Sequence, residues 1–373
     1  MLYLDNSATT RLHPEVAAAM QPYLQEEYGN PSSKYYTLAE NAKKAVEGAR
    51  AEVAALLGCF SDEVIFTSGA TESNNMVLKG VADYYQEQGK HIIISKVEHP
   101  SVIETCKYLE TKGYKVTYLD VDMYGRVNMD QLEQVMIEDK PIIVSLLWGN
   151  NELGSLNDIK TASTLCERHH VFFHTDATQV VGKMSIQLEE IPGITFLSCS
   201  AHKIHGPKGI GAAIIRKQKG GYKTKLTPLL HGGGQENEYR SGTLAVHNIV
   251  GFGKAAELVR EHVVENQQKL LELEKECRSI LVEKFGERLV FNSDTENKIP
   301  GVISIQLKGV NNELFIRKTA EQLALSTGSA CSSSKPSHVL SAVGKSLAEI
   351  RNTLRFSLSI FMEKEDLHII NQL

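Results

Sequence analysis

Seven short apolar runs, separated by stretches of helical periodicity, are the feature that most restricts how this chain can fold. They are Glu63 to Thr67, His91 to Ser95, Lys115 to Leu119, Ile142 to Trp148, Val171 to Thr175, Thr195 to Ser200 and Gly211 to Arg216. Runs of this length, rich in Val, Ile and Phe and alternating with helices, predict a mainly parallel seven-stranded sheet buried on both faces. The packing helices are legible between them. Leu38 to Leu57 carries Ala, Val and Leu at three- and four-residue spacing, and Asp130 to Ile137 follows a turn at Asn128. The predicted fold class is therefore α/β.

From about residue 250 the pattern changes. A long charged helix, Gly253 to Phe285, leads into strand-like runs at Leu289 to Phe291 and Val302 to Leu307, then two helices and Thr353 to Ser359. This predicts a smaller α+β domain formed by 1–12 and 256–373, with 13–255 as the large domain. A chain of 373 residues with 42% hydrophobic content is long enough for two such cores. Forty Lys and Arg against 45 Asp and Glu give a net charge of -5 with no long block of one sign, so neither a nucleic-acid nor a membrane surface is expected. Met1 to Asp5 carries no basic leader and no segment approaches the length of an apolar membrane span, which predicts a cytoplasmic protein. Six widely spaced cysteines without a C-x-x-C pair predict free thiols and no metal site.

Open α/β sheets bind ligands beyond the carboxyl ends of their strands, so the residues that follow each run carry the functional expectation. After the first run, Thr67-Ser68-Gly69-Ala70-Thr71 opens a helix whose free N–H groups suit a phosphate; the plainer reading is a capped helix start. His99 ends the next loop, where an imidazole can stack on a cofactor ring and move protons, or simply face solvent. Asn151 follows the fourth run. Asp176 and Gln179 follow the fifth, where an Asp can pair with a protonated pyridine nitrogen or cap a helix. Ser200-Ala201-His202-Lys203 follows the sixth and ends in a candidate Schiff-base lysine, with Lys208 as its rival. Downstream lie a glycine-rich stretch from His231 to Thr243 and a small-residue loop, about 326–337, holding Cys331. A thiol there needs a nearby cation to become a nucleophile.

Together these segments, from Tyr3-Leu4-Asp5-Asn6-Ser7-Ala8-Thr9-Thr10 to Leu354-Arg355-Phe356-Ser357, closely resemble the cysteine desulfurases of the NifS/IscS type, which have the aminotransferase fold type I and use pyridoxal 5′-phosphate (PLP). The resemblance implies that Lys203 carries the cofactor, which sets Lys208 aside. It implies further that Asp176 meets the ring nitrogen, Gln179 and Asn151 the ring oxygen, and His99 the ring face, where it also serves as an acid and base. Ala70, Thr71, Ser200 and His202 match the phosphate ligands, and Thr243 matches a threonine supplied to that phosphate by a second subunit, hence a homodimer. Arg355, with Asn30 and Asn151, matches the group that binds the substrate carboxylate, a task suited to a bidentate guanidinium. Cys331 matches the nucleophile that takes sulfur from L-cysteine, releases L-alanine and passes the sulfur to an acceptor protein.

The loop from Cys331 to Pro336 is slightly shorter than in long-loop members, and the chain ends at Leu373 without the extension that housekeeping members use around scaffold binding. The acceptor is thus left open among an Fe–S scaffold, a tRNA-thiolation relay and a DNA-phosphorothioation protein. Two rival readings are a selenocysteine lyase or other class-V PLP enzyme in which Cys331 is incidental, and a catalytically silent sulfur-transfer partner. The small-residue loop around Cys331 speaks against the first, and intact Lys203, His99 and Asp176 against the second.

Overall fold

The computed structural model describes residues 1–218, 220–328 and 336–372; Cys331 lies outside them. Strand β1 (Leu2–Tyr3) is followed by helices α1 (Pro14–Gln25) and α2 (Thr37–Leu57). Strands and helices then alternate through β2 (Val64–Thr67), α3 (Ala70–Tyr84), β3 (His91–Ser95), α4 (Pro100–Glu110), β4 (Lys115–Leu119), α5 (Met129–Asp139), β5 (Ile143–Leu147), α6 (Ile159–Arg168) and β6 (Phe172–Asp176). Two more strands, β7 (Phe196–Ser200) and β8 (Gly211–Ile215), complete this half of the chain. The remainder comprises α7 (Val246–Phe285), β9 (Leu289–Phe291), β10 (Val302–Leu307), α8 (Asn312–Thr319), β11 (Leu323–Ala324), α9 (His338–Ala342), α10 (Leu347–Arg351) and β12 (Thr353–Ser357).

All seven expected runs form one sheet in the order β2-β8-β7-β6-β5-β3-β4. Every neighbouring pair is parallel except those involving β8, which runs against both β2 and β7. The cause is the connection: Ala201 to Ile210 is too short for the crossover that a parallel neighbour requires, so the chain must turn back. Since β2 and β7 each oppose β8, the other six strands all point their carboxyl ends the same way. β2, β3, β5, β7 and β8 are buried along their whole length, as strands covered on both faces must be. The edge strand β4 is more open and starts at Lys115, a charge that discourages pairing with another sheet.

Helix α7 starts at Val246, seven residues before the expected Gly253. Glycines at 251 and 253 look like breakers in the sequence, yet here they let helices touch. A Cβ at Gly253 would lie 2.5 Å from Ala49 of α2. The first half of α7 contributes Val246, Ile249, Phe252 and Ala256 to the core beneath the large sheet, and the second half contributes Leu270, Leu273, Cys277 and Leu281 to another core under β10 and β12. One continuous helix therefore serves both cores, and residue 255 falls inside it. The second core is capped by a three-stranded antiparallel sheet, β12-β10-β9, and joined to the amino terminus by a short parallel pairing of β1 with β11.

A buried ion pair fixes the glycine-rich loop against this frame. Arg50 of α2 places both terminal nitrogens on Glu236, at 2.8 and 2.7 Å, and also donates to the Val64 carbonyl. Glu236 in turn accepts from the Phe66 N–H of β2 at 2.6 Å. Glu236, Asn237 and Glu238 all have positive φ (49°, 55° and 71°), an unfavourable run for non-glycine residues that the ion pair holds in place. Glu236→Ala, which leaves the buried Arg50 only the more exposed Glu47 at 3.3 Å as an ion partner, is expected to cost about 3 kcal/mol in urea unfolding; a loss below ~1 kcal/mol would refute this anchoring role.

Candidate active site

The carboxyl ends of β2, β3, β5, β6 and β7 surround a cavity of about 600 Å³. Ala70, Thr71, His99, Asn151, Asp176, Gln179, Ser200, His202, Lys203 and Arg355 all line it. Ten residues expected from separate strand ends and from β12 thus meet in one place. Asn30 and Thr243 do not line it; both are exposed, and the Asn30 side chain accepts from Ser32 N.

Lys203 ends a single 3-10 turn, Ala201–Lys203, in the short β7–β8 connection. Its Nζ donates to the carbonyls of Ser7 and Ala8, the latter at 2.7 Å, so the amino-terminal segment closes over the lysine. Beside it, Ser200 Oγ accepts from Ala70 N at 2.8 Å, joining the end of β7 to the start of α3. The N-cap of α3 is Gly69, which has no side chain to accept from the first turn; Ser200 takes the first donor, and the positive helix end at Ala70 and Thr71 lines the cavity. His202 Nδ1 sits 3.1 Å from Thr9 Oγ1; burial and then the charges of Lys203 and Lys208 push its pKa down to about 4, so it is neutral at physiological pH.

Asp176, at the end of β6, is 2% exposed. One carboxylate oxygen accepts from Thr178 N at 3.0 Å and the other from Asn74 Nδ2 at 2.8 Å. No helix starts here, so the Thr178 contact closes a turn and is not a helix cap, and the same side chain lines the cavity. Among the described residues it has no ion-pair partner, an expensive state for a buried carboxylate unless a cation is brought to it.

Gln179 donates to the Ser7 carbonyl at 2.9 Å and accepts from Lys183 Nζ at 3.0 Å. Burial, then the nearby charges of Lys203 and Arg355, brings the Lys183 pKa down to about 7. His99 caps α4: Ser101 N donates to its Nδ1 at 3.1 Å. Burial depresses its pKa, Lys203 and His338 act in the same direction, and Asp176 opposes them.

Arg355, on β12, is 1% exposed. Its Nη1 donates to the carbonyls of Asn151 (2.8 Å) and Gly328 (3.1 Å), and Nη2 pairs with Asp5 at 2.6 Å. Its Nε has no partner among the described residues and is fully enclosed. Gly328 is the last described residue before the segment holding Cys331, and Pro336, the first after it, lines the cavity.

Sequence reasoning missed Asn74, Ser101, Lys183, Ser7 and Ala8 as parts of the site. Each acts on another side chain or through its backbone, so residue type alone gave no signal. Asn74 and Lys183 do sit close in sequence to the turns already singled out, which is the one clue they offered.

Residues 2–370 match the family described as aminotransferase class-V. The chain belongs to that family. It is 43% identical over 370 residues to a cysteine desulfurase IscS of Dictyoglomus turgidum, covering 98% of this chain and 92% of that one. Among solved structures, a NifS-like protein superposes with a TM-score of 0.91 at 33% identity, covering 100% of this chain and 97% of the other. SspA, solved in complex with cysteine, superposes with a TM-score of 0.84 at 35% identity, covering 97% and 100%. Within the class-V family the chain is thus a member of the cysteine desulfurases, PLP-dependent enzymes.

The residues present fit PLP. A buried carboxylate with no ion-pair partner among the described residues, the positive start of α3 at Ala70 and Thr71, and the cationic side chains of Lys203 and Arg355 on the cavity wall complement a protonated pyridine and a phosphate.

One further carboxyl bears on the site. Glu98, fully buried between Val97 and His99, accepts from Ser95 Oγ and Leu147 N through one oxygen, while the other has no partner among the described residues. Burial pushes its pKa up to about 8, with Asp176 adding to the rise and the two hydrogen bonds opposing it. A carboxyl raised on folding keeps its proton where the unfolded chain, near pKa 4.3, has lost its own, so stability falls as pH rises toward 8. Glu98→Gln is expected to flatten that fall and to melt a few degrees above the unsubstituted protein at pH 8 but not at pH 4; parallel Tm profiles would sink the assignment.

Proposed function

We propose that Lys203 carries PLP in this cysteine desulfurase and that Cys331 receives the sulfur of L-cysteine. The observation that carries the reading is the convergence of Lys203, Asp176, His99 and Arg355 on one cavity, with Gly328 and Pro336, on either side of the Cys331 segment, at its rim. The five described cysteines support it from the other side. Burial raises the pKa of each, to about 12 for Cys59, Cys199 and Cys277, which keeps them as unreactive thiols.

In this reading Ala70, Thr71, Ser200 and His202 hold the cofactor phosphate, Asp176 the ring nitrogen, and Gln179 and Asn151 the ring oxygen. Bound there, PLP supplies an electron sink for bonds at the substrate α-carbon. Arg355 holds the substrate carboxylate through its guanidinium, with Asn151 beside it and Asn30 assigned to the same task by the family resemblance alone. Lys203 Nζ takes the α-proton. His99 holds and returns protons at Nε2, because its Nδ1 is occupied by Ser101. The Cys331 thiolate attacks the substrate sulfur; the S–S bond forms as the C–S bond breaks, L-alanine leaves, and Cys331 retains a persulfide.

The rest of the reading follows the same logic. Thr243, exposed and away from its own cavity, reaches the cofactor phosphate of a second copy in a homodimer. The large domain is 13–255, and 1–12 with 256–373 form the small one, with Ala256, Val259, Ile299 and Val302 reaching into the core under the large sheet. The enzyme works in the cytoplasm and hands its sulfur to an acceptor protein of Fe–S assembly, tRNA thiolation or DNA phosphorothioation. No described helix is long and apolar enough to cross a membrane.

Lys203→Ala is expected to abolish borohydride trapping of PLP and alanine release; a retained, trappable cofactor would move the assignment to another lysine. Cys331→Ala is expected to keep the visible absorbance of the bound cofactor while losing alanine production from L-cysteine by at least about 100-fold, the scale on which loss of a nucleophile is felt. Ordinary turnover in that variant would overturn the nucleophile assignment.

A further inference from the structure

Between Asp176 and His99 runs a hydrogen-bonded chain of which the mechanism above uses only the last link, Ser101 on His99. Asn74, fully buried in the second turn of α3, donates through Nδ2 to Asp176 at 2.8 Å and to Ser101 Oγ at 2.9 Å. Ser101 Oγ lies 2.8 Å from His99 Nδ1, and the Ser101 N–H reaches the same nitrogen.

The direction of every proton in this chain follows from chemistry. A carboxylate only accepts, so the amide nitrogen of Asn74 must face Asp176, and its second hydrogen meets Ser101 Oγ. Ser101 Oγ, accepting from Asn74, has its own hydrogen left for His99 Nδ1. That nitrogen therefore receives two donors and carries no proton, which places the imidazole hydrogen on Nε2. The carbonyl oxygen of Asn74 is buried without a partner among the described residues. A residue kept for packing would not strand an acceptor in the core; Asn74 is there for its two donors.

From this geometry we infer that Asn74 and Ser101 are positioning residues, which lock His99 in the Nε2–H tautomer and tie its orientation to the carboxylate of Asp176. The inference rests on the reading of His99 and Asp176 as parts of the PLP site, and it couples the group below the ring nitrogen to the group that moves protons. Two donors on Nδ1 favour the neutral ring, because protonation there would set N–H against N–H and O–H. The titratable groups around His99 are its chain neighbour Glu98, Asp176 on β6, Lys203 after β7 and His338 of α9, with Glu104, Lys107 and Glu152 on the same cavity. Asp176 favours the imidazolium, and the rest of this set leaves the Ser101 donors as the local element that fixes which nitrogen is bare.

The test uses holoenzyme with 15N-labelled histidine, the His99 signals being assigned by their loss in His99→Gln. In the unsubstituted protein Nδ1 is expected at the shift of an unprotonated nitrogen and Nε2 at that of a protonated one. Ser101→Ala should mix the two tautomers and move the His99 titration, and with it the acid limb of kcat/KM, up by about half to one pH unit, the worth of one hydrogen bond. Ser101→Thr, which keeps the hydroxyl, should restore both. Asn74→Ala should loosen the tautomer and also shift the pH titration of the cofactor's visible absorbance through Asp176. A bare Nε2 in the unsubstituted protein, or an unmoved titration in Ser101→Ala, overturns the inference. The nitrogen shifts need no turnover, so inactivity toward L-cysteine would refute the proposed function and leave this result standing.

Discussion

The reversal between β7 and β8 is the constraint on which the site depends. Because the chain from Ser200 to Gly211 is too short to cross over, it must fold back at the carboxyl end of β7, and the residues of that tight return are held where the mouths of the parallel strands converge. Lys203 is in the return. Its side chain is not presented on a long loop that would have to be ordered separately; it is delivered by the same hydrogen-bonded ladder that builds the sheet. Asp176, one strand away in β6, shares that ladder through the pairing of Asp176 with Ser198. The relative placement of lysine and carboxylate is thus as rigid as the sheet itself.

Charge is the second organising quantity. Lys203 and Arg355 line the cavity, Lys183 donates to Gln179 nearby, and the structure accommodates them by keeping neighbouring imidazoles uncharged. His202 and His174 are each brought down to about 4 by burial, and His99 is lowered for the same first reason. With His202 neutral beside Lys203 and Arg355, this part of the cavity is poised for anionic groups, while Asp176, Glu104 and Glu152 line it elsewhere.

Much of this was legible in the sequence, and the reasons differ by level. The strands could be read because double-sided burial writes itself as uninterrupted Val, Ile and Phe. Strand-end residues could be singled out because α/β topology tells where ligands go. The start of α7 was misplaced because glycine is ambiguous: at Gly253 it permits contact with Ala49 where the sequence suggests a break. Asn74, Ser101 and Lys183 were invisible for another reason. Asn74 from α3 meets Ser101 of α4 and Asp176 of β6 only on folding, while Ser101 and Lys183 act on His99 and Gln179 close by in the chain through bonds that residue type does not announce. Asn30 and Thr243 entered through family resemblance alone, and both stand outside the cavity of their own chain; Cys331 lies beyond the described residues.

The pairing of β1 with β11 has an implication for the order of events in the cell. Leu2 and Tyr3 find their partners only at Leu323 and Ala324, and the carbonyls that receive Lys203 lie a few residues further on, at Ser7 and Ala8. During synthesis the amino terminus leaves the ribosome first, yet it has nothing to pair with until almost the whole chain has been made. The large sheet can assemble around its own core well before then. The β1 pairing is therefore a late event, whereas the stretch from Ser7 to Thr10 finds Gln179 and His202 as soon as the large sheet is made, so the cover over the lysine is laid down in two stages.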